Sequence, residues 1–279
     1  MPVPIEEIVA GVIAPLLIAS IVYGACLRLA RFDPASRYAA ALALASGFCT
    51  AFLFFTWAPL RPNEHWHWLP YLAVIAMIVG PASIATGVRR FERYALYLVV
   101  AAIAAFCLVP DWKSLETTRH WHRLIVGFGI ALPCILLEEL AKRRHGSLLP
   151  LSLFATCLAG SVVLVLSGSL KFAQLAGAVS FSLLGCSLVS LRSTKDAAFR
   201  GLMLAYTVLL GGLMYIARIH SFSQVPVASY ILVLVAPIAL WLAVVGPAAR
   251  LPRRWQVVAQ VAVVLIPLAI GVGLAAMQS

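Results

Sequence analysis

Residues 148–191 read LLPLSLFATCLAGSVVLVLSGSLKFAQLAGAVSFSLLGCSLVSL, a stretch in which Lys171 is the only charged side chain. A helix needs about 20 mainly apolar residues to cross a hydrocarbon core of roughly 30 Å. The stretch is long enough for two such helices, and the small pair Gly168-Ser169 divides it between them. It therefore predicts a helical hairpin that crosses a membrane twice.

The remainder of the chain repeats this pattern of long apolar runs and short polar joins. Backbone N–H and C=O groups find no water partners in a hydrocarbon core, so each run is expected to be helical. The sequence thus predicts an all-α integral membrane protein, a polytopic bundle of about ten transmembrane helices that forms a single domain over residues 1–279. The predicted spans are 8–30, 38–60, 69–88, 94–110, 121–141, 148–167, 170–191, 200–218, 227–247 and 256–276.

The composition excludes several classes of protein. Hydrophobic side chains make up 63% of the chain and charged side chains 11%, whereas a soluble domain has roughly 45–50% and about 25%. Mean hydropathy is +0.99. These values exclude a soluble enzyme, a nucleic-acid-binding domain and a disordered chain. The sequence contains no P-loop, HExxH, GxSxG or CxxCH motif, so it predicts no particular cofactor.

Basic residues are divided unevenly between the two sets of joins. Fifteen of the 21 lie in the joins that follow the first, third, fifth, seventh and ninth spans. The positive-inside rule makes these joins cytoplasmic and puts both termini outside. The net charge of +11 then faces the anionic lipid headgroups of the bilayer rather than nucleic acid. We expect a multi-pass protein of a bacterial-type inner membrane or a plasma membrane.

A cleaved first segment, which would leave nine spans, is the main alternative. Gly24-Ala25-Cys26 resembles a lipoprotein cleavage site. However, Glu6 and Glu7 stand where a signal peptide carries basic residues, so residues 8–30 are predicted to be a retained helix.

A short motif occurs twice and suggests an internal duplication. The sequence HWH at residues 65–67 recurs at residues 120–122, and each copy opens a span with an interior proline, Pro81 or Pro133. A duplicated two-helix hairpin, formed by spans two and three and again by spans four and five, explains this spacing. The alternative is a coincidence between two helix starts that are anchored at the membrane interface.

The histidines are candidate ligands for a metal, a haem or a quinone headgroup, since imidazole is a common metal ligand. Five of the six, those of the two HWH motifs and His220, fall at the predicted outer face. If Asn63 caps the third span, His65 and His67 are helical and their rings diverge by about 200°. Five of the seven tryptophans share this face, which favours an aromatic belt. The metal candidates are His65, His67, His120 and His122.

The seventh span carries the most polar helix face. Gln174, Ala178, Ser182 and Cys186 follow one another at four-residue spacing, and Lys171 opens the span. Small residues at this spacing favour close helix packing. The rival interpretation is the wall of a polar pathway. We expect any ligand site in the outer half of the bundle, between this stripe and the third and fifth spans, with the candidate residues His67, His122, Lys171, Gln174 and Ser182.

Glu138 and Glu139 are the only carboxylates inside a predicted span. Lys142 lies four residues after Glu138, and Arg143 lies four residues after Glu139. This spacing predicts a solvated helix end with local ion pairs. A proton relay is the alternative, because carboxylates within a membrane are commonly functional.

Three functional hypotheses remain open. A transporter or permease-like protein for a small neutral or anionic solute fits ten spans with very little chain outside them. A structural or assembly subunit, with a membrane-protein partner or a second copy of the chain, fits the absence of a sharp polar motif. A membrane redox, metal or haem protein would use the outer-face histidines.

Overall fold

The computed structural model describes residues 5–29, 34–56, 62–143, 148–191, 199–221, 223–245 and 252–278. Of these residues 88% are helical, and none lies in a strand. Within these ranges, ten helices are long and apolar enough to cross a membrane, which confirms the all-α class and the expected number of helices. They are α1 (Ile5–Leu29), α2 (Pro34–Thr56), α3 (Leu69–Ala85), α4 (Arg90–Leu108), α5 (Arg119–Arg143), α6 (Leu148–Leu166), α7 (Leu170–Ser190), α8 (Leu202–His220), α9 (Val227–Val245) and α10 (Arg253–Ala276).

Several helices extend beyond the apolar spans predicted from the sequence. The helix α4 begins at Arg90 rather than at residue 94, and α5 runs from Arg119 to Arg143 rather than from 121 to 141. The charged groups of long basic side chains reach water from such helix ends, while their aliphatic stems cover apolar surface. A helix can therefore continue past the point at which the sequence becomes less apolar. The predicted end of the second span, residues 57–60, lies outside the described residues.

The helix α8 runs through the middle of the bundle and is the most completely buried of the ten. It contacts every helix from α2 to α7 and also α9, while α1 and α10 lie at the periphery. Gly212 allows this close approach, since a Cβ atom there would lie 2.8 Å from Leu69 Cδ2 and 3.0 Å from Leu108 Cδ1. Close packing around small residues is the usual way in which membrane helices associate.

Two of the interior prolines coincide with irregular helical turns. The helix α1 contains a π-helical turn at Val9–Ile13, just before Pro15, and α9 contains a 3₁₀ turn at Ala236–Ala239, which includes Pro237. Proline lacks an N–H group and its ring clashes with the carbonyl group four residues earlier, so the regular hydrogen-bond ladder is interrupted. Pro81 and Pro133 instead lie inside continuous α-helices.

The two HWH motifs adopt different conformations. The first belongs to a 3₁₀ turn, His65–Trp68, which precedes α3, whereas the second lies in the first turn of α5. Trp66 is 6% exposed and Trp121 is 67% exposed. The hairpins α2–α3 and α4–α5 each pack as neighbouring helices. Their common origin by duplication stays a prediction, but the two motifs have diverged in local structure.

Candidate functional site

Aromatic and charged side chains gather at the end of the bundle where α3, α5 and α7 begin and where α4 and α8 end. We call this the histidine end. Its first component is the turn before α3, in which His67 Nδ1 accepts hydrogen bonds from the backbone N–H groups of Asn63 and Glu64, both at 3.3 Å. The N-cap is therefore Glu64 and not Asn63, which corrects the sequence prediction. Because a 3₁₀ helix has three residues per turn, His67 is rotated by about 240° from His65 around the helix axis.

The second component is a pair of histidines from different helices. His65 Nε2 lies 2.9 Å from His220 Nε2, and the two ring planes are within 6° of parallel. One ring must donate its N–H group and the other must accept it. The Trp112 ring packs edge-on against both imidazoles, with centroid distances of 5.5 Å to His65 and 5.3 Å to His220. The hydrogen-bonded pair is thus fixed by an aromatic neighbour.

A cavity of about 750 Å³ opens beside this pair. Its walls come from three segments of the chain: the turn before α3, the end of α4 with the residues that follow it, and the last residue of α8. The polar side chains on the walls belong to Asn63, Glu64, His65, Asp111, Trp112 and His220, and apolar wall residues include Trp68, Phe106 and Cys107. The cavity therefore combines aromatic surface with a few hydrogen-bonding groups.

Both carboxylates on the cavity wall have partners. The Asp111 side chain is 77% exposed, and its Oδ1 atom lies 3.2 Å from Arg119 Nη1 and 3.6 Å from Arg123 Nη2. The Glu64 carboxylate accepts a hydrogen bond from the Trp66 indole N–H. On the indole ring lies Lys171, with Nζ 3.8 Å from the ring centroid. Negative charge at the wall is consequently balanced by nearby cations.

The residues proposed from the sequence as a ligand site do not form one cluster. His67 and Lys171 both contact Trp66, beside the cavity. By contrast, His122 packs on Tyr215 with a centroid distance of 6.0 Å. The structure therefore brings His67 and Lys171 together at the histidine end but leaves His122 apart from them.

The polar stripe of α7 faces other helices rather than this cavity. Gln174 Nε2 donates a hydrogen bond to Glu7 Oε2 at 2.7 Å. Ser182 is fully buried and donates to the Ala178 carbonyl oxygen at 2.7 Å. A Cβ atom at Gly47 would lie 2.2 Å from Ser182 Oγ, which shows how closely α2 approaches α7 here. At Ser182 the stripe is a helix-packing surface.

The four histidines proposed as metal ligands are likewise not gathered. The partner of His65 is His220, while His120 lines a separate groove between α4 and α5. Among the described residues no group of three or more His, Cys, Asp or Glu side chains could hold a metal ion. The sequence placed His220 at the same face as His65, but only the packing of α8 against the turn before α3 makes them partners.

Glu138 lies in an environment that the sequence analysis did not anticipate. The side chain is 0% exposed, and its Oε2 atom accepts a hydrogen bond of 3.1 Å from the Gly201 N–H group at the start of α8. Arg200 Nε lies 4.0 Å from Oε1. The partial positive charge of a helix N-terminus stabilises a carboxylate placed there. The expectation of a solvated helix end with Lys142 as partner is therefore wrong for Glu138.

Glu139, in contrast, forms ion pairs at the helix end, although Arg143, the residue four positions later, is not one of its partners. Its carboxylate binds Lys142 and also Arg90 of α4, and it accepts a hydrogen bond from the Tyr94 hydroxyl group. The two adjacent carboxylates thus have separate roles, one buried against α8 and one in a network at the rim of α4 and α5.

Comparison with known proteins adds no functional assignment to any of these residues, because the chain matches no protein-family model and no curated protein sequence.

Proposed function

We propose that this chain is a transporter or permease-like protein for a small solute, and that the cavity at the histidine end is its solute-binding vestibule. The observation that carries this proposal is the cavity of about 750 Å³ beside the His65–His220 pair. Ligand sites in proteins are clefts of roughly 300–1,000 Å³, mostly apolar and with a small number of placed polar groups. Aromatic walls with a few hydrogen-bonding side chains match this description.

The chemistry of the walls favours an uncharged solute with hydrogen-bonding groups. Among the described residues, the lining of the cavity includes the carboxylates of Glu64 and Asp111 but no lysine or arginine, so it offers an anion no cationic partner. The histidine pair and the Trp112 indole offer donors and acceptors that suit hydroxyl or amide groups. Of the neutral and anionic solutes expected from the sequence, the neutral class is the better match.

The proposal includes a topology in which the histidine end faces the outside and both termini lie there. Its support is the excess of basic residues in the joins at the opposite end. The contact between Glu7 and Gln174 agrees with an N-terminus at the histidine end. The basic joins at the cytoplasmic side would then lie against anionic lipid headgroups. A multi-pass protein of a bacterial-type inner membrane or a plasma membrane has this arrangement.

Irregular helices support a transport role as well. Transporters commonly contain discontinuous helices near their pathways. The π turn at Val9–Ile13 and the 3₁₀ turn at Ala236–Ala239 are interruptions of this type. Short 3₁₀ and π stretches within helices often mark hinges, so α1 and α9 each carry a candidate hinge.

Permeability of reconstituted vesicles tests the proposal. Proteoliposomes would be mixed rapidly with glycerol, urea or sodium acetate, and light scattering would report their shrinkage and the reswelling as solute enters. We expect faster reswelling than in protein-free vesicles with glycerol or urea, but not with acetate. His220→Phe keeps an aromatic ring at this position but removes the hydrogen bond to His65. The reswelling rate should therefore fall about fivefold, which corresponds to about 1 kcal/mol.

His122→Phe is the matched control, because His122 is not among the residues that line the cavity. Its reswelling rates should equal those of the wild type. Reswelling no faster than in protein-free vesicles with both uncharged solutes would contradict the transport proposal. That result, together with stable co-purification of a second membrane protein, would favour a structural or assembly subunit.

A further inference from the structure

A second hollow, separate from the vestibule in its chemistry, lies between α4 and α5. It has a volume of about 380 Å³ and is an apolar groove lined by Leu98, Ala102 and Ala105 of α4 and by Leu124, Gly127 and Phe128 of α5. Small side chains create the hollow, since a Cβ atom at Gly127 would reach only ordinary van der Waals contact, 3.8 Å from Ala105 Cβ. The groove therefore has room for a flexible apolar chain.

The groove lies on the outer surface of the bundle. Phe128 is 64% exposed, and Leu98 and Leu124 are also exposed. In a membrane-spanning bundle such a surface contacts lipid. An acyl chain is consequently the apolar molecule that meets this groove at the highest concentration.

Positive charge marks one end of the groove. His120 and Arg123 line it at the histidine end, and the Arg123 guanidinium group lies 4.3 Å from the centroid of the Phe106 ring. Asp111 is shared by Arg119 and Arg123, so one carboxylate faces two guanidinium groups. Within the described part of the chain, the Nε atoms of both arginines are buried without a hydrogen-bond partner. These buried Nε atoms are shielded from lipid, and the two guanidinium groups against one carboxylate leave the end of the groove with a net positive charge.

We propose that the α4–α5 groove binds an anionic phospholipid, with one acyl chain along the groove and the phosphate group on Arg123 and His120. Charge complementarity selects an anionic headgroup, because a zwitterionic lipid would not neutralise the extra guanidinium charge. Guanidinium groups bind phosphate through two parallel hydrogen bonds, which also fixes the orientation of the lipid. This site lies at the end of the bundle opposite to the basic joins and does not depend on a transport role.

Native mass spectrometry of the purified protein in detergent tests the proposal. The probes are phosphatidylglycerol and phosphatidylcholine with the same acyl chains, each added over a range of concentrations. We expect phosphatidylglycerol to bind the wild type about tenfold more tightly, which corresponds to about 1.4 kcal/mol, because the phosphate of phosphatidylcholine is already paired with its own choline cation. Arg123→Gln should remove most of this difference. Binding at the basic joins is common to all variants and cancels in the comparison.

Filling the groove separates this site from non-specific lipid binding. Gly127→Leu projects a side chain into the hollow and should weaken binding of both lipids. Gly129→Leu is the matched control on the same helix, because a Cβ atom at Gly129 meets nothing within 4 Å. Ala102→Leu fills the groove from the facing helix and replaces Gly127→Leu if that variant does not fold.

Two results would overturn the assignment. The first is equal binding of the two lipids to the wild type. The second is a preference for phosphatidylglycerol that persists unchanged in Arg123→Gln, together with unchanged affinity for both lipids in Gly127→Leu and Ala102→Leu, which would place the bound lipid elsewhere on the protein.

Discussion

Replacing Glu138 should destabilise the bundle more than replacing any exposed carboxylate. The side chain is fully buried between α5 and the N-terminus of α8, where it accepts the Gly201 N–H hydrogen bond and faces Arg200. Removal of the carboxylate leaves the start of α8 without its acceptor. It also leaves the Arg200 guanidinium group without its counter-ion.

The structure separates two parts of this effect. Glu138→Gln keeps the shape and one acceptor oxygen for Gly201, so it loses mainly the interaction with the helix dipole and with Arg200. We expect a loss of about 1–2 kcal/mol, the range for a charge in a partly buried helix-terminal site. Glu138→Ala removes the acceptor as well and leaves the Gly201 N–H group unsatisfied, which adds about 1–3 kcal/mol, for a total loss of about 2–5 kcal/mol.

Thermal unfolding in detergent, followed by tryptophan fluorescence, measures both changes. At about 2–4 °C for each kcal/mol, Glu138→Ala should lower Tm by about 4–20 °C, and Glu138→Gln by about 2–8 °C. Glu116→Gln, at an exposed position in the join before α5, is the control and should leave Tm unchanged. A Glu138→Ala variant that unfolds within about 1 °C of the wild type, the range of an ordinary surface substitution, would refute the reasoning.

Two further pairs of variants test the packing of the bundle. Gly80→Ala places a Cβ atom 2.2 Å from the Gly201 carbonyl oxygen, so it should prevent stable packing of the helix bundle. The matched variant Gly273→Ala meets nothing within 4 Å and should be neutral or slightly stabilising. Equal yields of the two folded variants on size-exclusion chromatography would contradict the close contact at Gly80. Trp66→Ala should destabilise by about 3–5 kcal/mol because the side chain is buried. Trp121→Ala should cost less than about 1 kcal/mol, and similar Tm values for both variants would show that the two HWH motifs are equivalent after all.

The helical architecture could be predicted from the sequence because each apolar run has the length and composition of a membrane-spanning helix. A hydrocarbon core sets the length of each apolar run, and hydropathy alone finds ten of them. Helix ends were less predictable, since Arg90 and Arg119 continue their helices into the polar region. Nothing in the local sequence distinguishes a basic residue in a helix end from one in a join.

The site depended on contacts between helices, which a single sequence does not contain. His65 and His220 are far apart in the chain and meet only because α8 ends beside the turn before α3. The burial of Glu138 has a similar origin, because it depends on which face of α5 turns toward α8. The sequence did predict that the histidines share one end and that helix packing competes with a ligand role for Ser182. Both inferences rest on local spacing.

Access to Cys107 tests the central claim most directly, because this residue lies on the wall of the proposed vestibule. A variant that keeps Cys107 and has serine at Cys26, Cys49, Cys134, Cys157 and Cys186 would be treated with a membrane-impermeant methanethiosulfonate, on intact cells and on inside-out vesicles. A second variant that keeps only the buried Cys157 provides the unreactive control. We predict rapid modification of Cys107 in intact cells and none in inside-out vesicles. Modification in inside-out vesicles alone, or no modification from either side, would contradict an outward-facing, water-filled vestibule at the histidine end.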